Sequence, residues 1–305
     1  MSLKQTLTQP VGSESFQKYC KTVGQKVKKI FVFLSFLTMW ISAGAIILFC
    51  YAASENEGDY DTTTFYNSAQ PEQICNVSGI VMHGGVLTYI PNEDVDADGN
   101  ITVDEFSSES VVQKIREADK DTNIKAILVE IDSYGGSPVA GEEIARALKE
   151  AMKPTVALLR DAGASAAYMA ATGADRIFAS KNSDVGSIGA TMSYLDNAGQ
   201  NTANGLSYNQ LSSGKFKDTG SSDKKLTAEE KSLLMRDVNI TYENFIDLVA
   251  ANRNMDETKV RSLADGSTMM GEMALENGLI DQIGDQYDVE KYLRELIGEN
   301  TNICW

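Results

Sequence analysis

The stretch Ala126-Ile127-Leu128-Val129-Glu130-Ile131-Asp132-Ser133-Tyr134-Gly135-Gly136-Ser137-Pro138 decides the architecture of this chain. Ala126 to Ile131 is a nearly continuous apolar run, as expected of a parallel strand buried on both faces. Asp132 to Ser137 then turns the chain, and its two glycines can present backbone N–H groups without side-chain obstruction. Pro138 suits a first helical turn, and Ile144, Ala147 and Leu148 fall on one face of the helix that runs to Glu150. Strand, glycine turn and helix make one β-α unit.

Similar units lie on either side. Val77 to Val81, Thr155 to Leu159 and Arg176 to Ala179 read as strands. Val111 to Ala118, Ala164 to Thr172 and Thr227 to Ala251 read as helices, the last opened by the capping box Thr227-Ala-Glu-Glu230. Alternation of this kind predicts an α/β fold, with parallel strands and helices packed over them. No internal repeat is found, so one catalytic unit is expected.

The 305 residues carry a formal net charge of −16, 43% hydrophobic residues and 24 glycines. Such a chain is globular, and it lacks the basic face that nucleic acid requires. Cys20, Cys50, Cys75 and Cys304 show no CxxC spacing, which argues against a zinc site. Cys75 and Cys304 are able to bridge in an oxidising compartment, with only parity to support the pairing.

Residues 30–53 contain no charged side chain. As a helix they would reach ~36 Å at ~1.5 Å per residue, beyond the ~30 Å core of a bilayer. Lysines precede the segment and acidic residues follow it. The expectation is a single-pass signal anchor with the N-terminus cytoplasmic and the catalytic domain extracytoplasmic. The domains read as a basic tail (1–29), an anchor (30–53), a linker (54–75), a catalytic domain (76–298) and a C-terminal tail (299–305).

Chemistry is suggested by Gly163-Ala164-Ser165-Ala166-Ala167-Tyr168, a serine among small residues where a helix is expected to start. Partial positive charge and free N–H groups there favour a developing oxyanion, although a serine in such a place also reads as a packing residue. The one histidine, His83, reads as a strand-end residue, so a nucleophilic serine needs another base. A lysine serves if its pKa falls well below ~10.4. Lys217 is a candidate, and by composition alone Lys215 is as good a choice.

Taken in order, Asp132-Ser-Tyr-Gly-Gly-Ser137, Ala164-Ser-Ala-Ala-Tyr168, Val185-Gly-Ser-Ile-Gly189, Gly214-Lys-Phe-Lys-Asp218, Asp265-Gly-Ser-Thr-Met-Met-Gly271 and Ala274-Leu-Glu-Asn-Gly-Leu-Ile-Asp281 form a fairly specific set. With them the chain resembles the membrane-anchored signal peptide peptidases of the SppA type, serine peptidases with a Clp-protease/crotonase-like fold of repeated ββα units. The resemblance runs from about residue 76 to 298. It implies Ser165 as nucleophile, Lys217 as general base, Ser187 as the hydroxyl that holds the lysine amine, and Gly135 and Gly136 as the oxyanion hole. It also implies peptide substrates such as signal-peptide remnants, no cofactor for catalysis, and a homo-oligomeric ring or dome in which neighbouring protomers can complete each site. Two departures stand out: Tyr134 replaces the family's usual proline, and Ala166-Ala167 replaces its usual Gly-Gly.

A second motif, Asp94-Val-Asp96-Ala-Asp98-Gly99-Asn100-Ile-Thr-Val-Asp104-Glu105, matches a calcium loop, with oxygen ligands at Asp94, Asp96, Asp98, Asn100 and Glu105. It reads equally as an acidic surface loop. The alternative function is therefore a catalytically silent, calcium-stabilised membrane scaffold on the same fold. An acyl-CoA hydratase-like enzyme shares the fold but does not suit an external domain.

Overall fold

A computed structural model describes residues 75–90 and 105–305. The expected strand at the start of the domain forms as β1 (Val77–His83), followed by β2 (Gly85–Leu87), β3 (Glu105–Ser107) and α1 (Ser108–Lys120). The deciding stretch folds as read: β4 (Ala126–Ser133) is buried along almost its whole length, and α2 (Pro138–Glu150) starts at the proline. Then come β5 (Thr155–Ala164), α3 (Ala166–Ala171), β6 (Arg176–Ala179) and β7 (Asp184–Gly186). After α4 (Ala198–Ala203) the chain continues through α5 (Ala228–Arg253), α6 (Glu257–Leu263), β8 (Thr268–Met270), α7 (Gly271–Asn277), β9 (Gln282–Ile283), α8 (Gln286–Ile297) and β10 (Ile303–Cys304).

The main sheet has the order β10-β1-β4-β5-β6-β9, all parallel. Strand pleating sends alternate side chains to opposite faces. Ile127, Val129 and Ile131 join the larger core, with Ile115 of α1, Ile144 of α2, Tyr168 of α3 and Phe245 of α5. Ala126 and Leu128 join the smaller one, which Val289 and Leu293 of α8 cover.

The sheet forks at β5. Its first half pairs with β6, and its second half pairs with β7 through Ala162–Asp184, Gly163–Val185 and Ala164–Gly186. β8 then adds antiparallel to β7. The fork corrects two expected boundaries. β5 runs on to Ala164 because β7 satisfies its backbone, and α3 starts at Ala166, later than expected. Ser165 thus occupies the junction between strand and helix.

The last residues, expected as a tail, belong to the sheet. Ile303 and Cys304 pair with Val77 and Ser78, and Cys304 is disulfide-bonded to Cys75. Trp305 packs over Gly79, where an added Cβ would lie 2.5 Å from its ring.

The localisation read from residues 30–53 needs correction. Among the described residues no helix is long and apolar enough to cross a membrane. The expected span itself lies outside them, so the single-pass arrangement with an extracytoplasmic domain is withdrawn. Asp94, Asp96, Asp98 and Asn100 of the acidic loop also lie outside the described residues. Glu105 opens β3 with an exposed side chain, and the described residues hold no group of three or more His, Cys, Asp or Glu able to bind a metal ion.

Candidate active site

Three non-glycine residues of the described chain have positive φ, and two of them directly follow the paired strands β5 and β7. Ser165 has φ 54° and ψ −127°. A side chain held in so sparsely populated a region costs on the order of 1–3 kcal/mol, which the surroundings must offset. Ser165 N–H donates to Gly186 O at 2.7 Å, and Ser165 C=O accepts from Met169 N–H at 2.9 Å. The result is a sharp strand-to-helix turn with Ser165 at its apex, of the kind on which α/β-hydrolases carry a nucleophile. Ser187, at φ 50°, directly follows β7. Its N–H donates to Ser267 O at 3.0 Å and its hydroxyl to Gly266 O at 2.9 Å. The third, Asn254 at φ 51°, is the C-cap of α5.

The glycine turn of the deciding stretch arrives beside Ser165. A Cβ on Gly135 would lie 2.7 Å from that of Ser165, so only glycine allows this approach. A Cβ on Gly136 would lie 2.2 Å from Val86 O. Val86 clamps the turn from the other side: its N–H donates to Gly135 O at 3.1 Å, and its C=O accepts from Ser137 N–H at 2.7 Å. Buried Ser133 braces it from below, donating to Gly84 O at 2.6 Å and accepting Gly135 N–H at 3.1 Å. With the Gly135 amide so engaged, Gly136 N–H is the glycine donor that has no protein acceptor among the described residues.

Gly136, Ser165 and Ser187 line one cavity of about 460 Å³. Its apolar wall comes from Pro138, Ala166, Met169, Tyr242 and Phe245, and its far rim from Ala264, Asp265 and Gly266. Tyr242 is fixed by donating its hydroxyl to Ala264 O at 2.9 Å. The pocket can hold an apolar side chain of a substrate beside the Ser165 hydroxyl. Asp265 accepts from Ser267 N–H and hydroxyl at 2.9 and 2.6 Å, and these bonds lower its carboxyl pKa. The rim was legible only as the motif Asp265-Gly-Ser, with no role attached. Tyr242 and Phe245 carried no signal beyond helical spacing.

The structure does not bring Lys217 to this cavity within one chain. Lys217 is exposed, on a turn closed by its N–H to Gly214 O at 3.1 Å. The local choice between two lysines becomes clearer: Lys215 Nζ pairs with Glu229 at 2.7 Å, whereas Lys217 makes no ion pair among the described residues. From residue 190 to 229 no side chain is buried. His83 lies apart from the cavity, at the end of β1, with Nε2 3.0 Å from Glu130 Oε1.

Comparison with known proteins accords with this geometry. The sequence profile described as Peptidase family S49 matches residues 147–299, half of the chain. A relative from Methanocaldococcus jannaschii, named as a candidate protease, is 35% identical over 187 residues, covering 61% of this chain and 60% of its own. An Enterococcus faecium relative, named as a candidate signal peptide peptidase SppA, is 32% identical over 195 residues, covering 63% and 57%. The chloroplastic serine protease SPPA of Arabidopsis thaliana is 31% identical over 180 residues, covering 58% and 27%. The chain thus spans about three fifths of the length of the first two. A solved ClpP1 mutant from Listeria monocytogenes aligns at 14% identity and a TM-score of 0.43, covering 69% of this chain and 92% of that one. The matched profile contains the Ser165 turn, the Ser187 turn and the Asp265 rim, and on that match the chain belongs to peptidase family S49.

Proposed function

We propose that this protein is a serine peptidase whose nucleophile is Ser165 and whose general base is Lys217 delivered by a second copy of the chain. The observation that carries the reading is the Ser165 turn, held at positive φ in one cavity with Ser187 and Gly136. A peptide lies across the cavity with an apolar side chain against Met169 and Phe245. The neutral amine of Lys217 takes the Ser165 proton, and the serine oxygen attacks the peptide carbonyl. Negative charge develops on the carbonyl oxygen, and Gly136 N–H, which has no protein acceptor among the described residues, would receive it. The amine's proton passes to the leaving nitrogen, the acyl-enzyme forms, and water activated by the same lysine hydrolyses it. Ser187, its hydroxyl proton given to Gly266 O, accepts from the amine and keeps it directed at Ser165. Substrates are short peptides such as signal-peptide remnants, a class supported by the name of the Enterococcus faecium relative.

Delivery in trans is supported by where the lysine sits. It lies on an exposed arm with Met192, Leu195, Leu206 and Leu211, all more than half exposed. Exposed apolar side chains of this kind are what a second copy would cover, and burial of the amine beside them would favour its neutral form. The test is complementation. Ser165→Ala and Lys217→Ala are each expected to lose hydrolysis of a fluorogenic peptide, and mixing the two inactive proteins is expected to restore part of it. Full activity in Lys217→Ala would remove the base from the reading.

The competing reading, a catalytically silent scaffold, is favoured by the exposure of Lys217 in the single chain. A fluorophosphonate probe decides between them, since labelling at Ser165 rejects the scaffold.

A further inference from the structure

A base that works as a neutral amine should have no free carboxylate beside it, yet Asp218 is the next residue in sequence. In an exposed loop no packing separates neighbouring side chains, so something else must occupy that carboxylate. Asp218 Oδ2 accepts the Tyr208 hydroxyl at 2.5 Å and lies 3.9 Å from Lys224 Nζ. Lys224 in turn donates to Glu230 Oε1 at 2.5 Å. Glu230 is the one buried residue at this end of α5, its side chain 4% exposed. It is locked by the capping box with Thr227, and its Oε1 also accepts from Thr219 Oγ1 at 3.4 Å. The arm has no buried apolar anchor, so this polar cluster ties the loop that carries Lys217 to the long helix.

We propose that the Tyr208–Asp218–Lys224–Glu230 cluster keeps Asp218 turned from Lys217, so that the base is free of its nearest carboxylate. The inference rests on the reading of Lys217 as base and adds positioning residues that act through it. Besides Lys217, the charged and titratable groups at this part of the arm are Tyr208, Lys215, Asp218, Asp223, Lys224, Lys225, Glu229 and Glu230. Lys215 and Glu229 pair with each other at 2.7 Å, Asp223 accepts from Asn201 at 2.9 Å and Glu230 is buried, so once Lys224 is removed Asp218, adjacent in sequence and then held by the Tyr208 hydroxyl alone, is the carboxylate that can turn to Lys217. An ion pair with Asp218 would favour the charged amine and raise its pKa. The acid limb of the rate profile, which rises as the base loses its proton, would then move to higher pH.

The experiment is a double-mutant cycle read by pH. kcat/KM for a fluorogenic peptide is measured between about pH 6 and pH 10 for wild type, Lys224→Met, Asp218→Asn and the double variant. Lys224→Met is expected to move the acid limb up by about one unit, roughly a tenfold loss on its acid side. Adding Asp218→Asn is expected to return the limb to its wild-type position, and Lys224→Arg to leave it there. The height of the profile reports any loosening of the arm from unpairing Glu230; the limb's position reports the carboxylate. The rate of Lys217 modification by an amine-reactive reagent, followed by mass spectrometry, gives the same comparison without turnover. An unmoved limb in Lys224→Met, or a shift that Asp218→Asn does not reverse, would overturn the proposal while leaving the dyad standing. Full activity in Lys217→Ala would overturn both.

Discussion

The cradle around Ser165 and the arm that carries Lys217 are built on opposite physical terms. In the cradle, Ala164, Ala166, Ala167 and Tyr168 are all but fully buried, and two serines hold strained backbones because backbone hydrogen bonds fix them. In the arm no residue from 190 to 229 is buried, α4 has no buried face, and order comes from turns and one polar cluster. Strain can be stored only where packing overrules local preference. Under the proposed reading, one chain can preform the turn that holds Ser165 but not the seat of Lys217, and assembly would be the step that completes the site.

The most severe test of that contrast is chemical. Ser165→Ala should reduce peptide hydrolysis by about 10⁴-fold or more while leaving the melting temperature close to wild type, because alanine keeps the same backbone strain and the Ser165 hydroxyl makes no hydrogen bond among the described residues. A variant that keeps its activity would show that the cradle does not hold the nucleophile.

Next comes packing. Phe245, 2% exposed, lines the cavity and seals the core beneath it. Phe245→Ala should cost about 3–5 kcal/mol in denaturant unfolding, and a cost near zero would mean that the cradle is not held by its core.

Reduction of Cys75–Cys304 is expected to rank third. The bond joins residues 229 apart and fixes β10 to β1, and its loss should destabilise the domain by about 2–4 kcal/mol. Melting curves with and without reductant measure it, and coincident curves would show that the sheet edge holds without the bond.

The smallest effect belongs to the arm. Leu211 is 98% exposed, so Leu211→Ser should change the unfolding free energy of the isolated chain by no more than about 0.5 kcal/mol. The same substitution should weaken self-association in sedimentation and lower activity at low protein concentration. Unchanged association would move the contact elsewhere on the arm.

Much of the frame was legible because it depends on short-range rules. The apolar run Ala126 to Ile131, Pro138 at a helix start and the capping box Thr227–Glu230 each declare their element locally, and each forms as read. The boundary at Ser165 was misread because β7, about twenty residues later, supplies the hydrogen bonds that extend β5. The pairing of Cys75 with Cys304 rested on parity alone. It is decided by β10 returning to the sheet edge beside β1.

The site divides along the same line. Ser165, Ser187 and the Gly135–Gly136 turn were identifiable as ordered motifs, and the fold collects them in one place. The cavity wall of Met169, Tyr242 and Phe245 was invisible, since apolar residues at helical spacing say only that a face is buried. Lys215 and Lys217 could not be told apart from composition. A salt bridge to Glu229 now separates them, and a contact between residues fourteen apart has no local signature.

What the sequence by itself determined is the alternation of strands and helices and the small-residue surroundings of Ser165, because strand burial, helix capping and glycine turns are properties of a few neighbouring residues. Only the tertiary structure decided which backbone is strained, which glycine amide is left to donate and which of Lys215 and Lys217 makes an ion pair among the described residues. Those depend on hydrogen bonds and packing between segments far apart in the chain, and their energies exist only once the fold has brought them together.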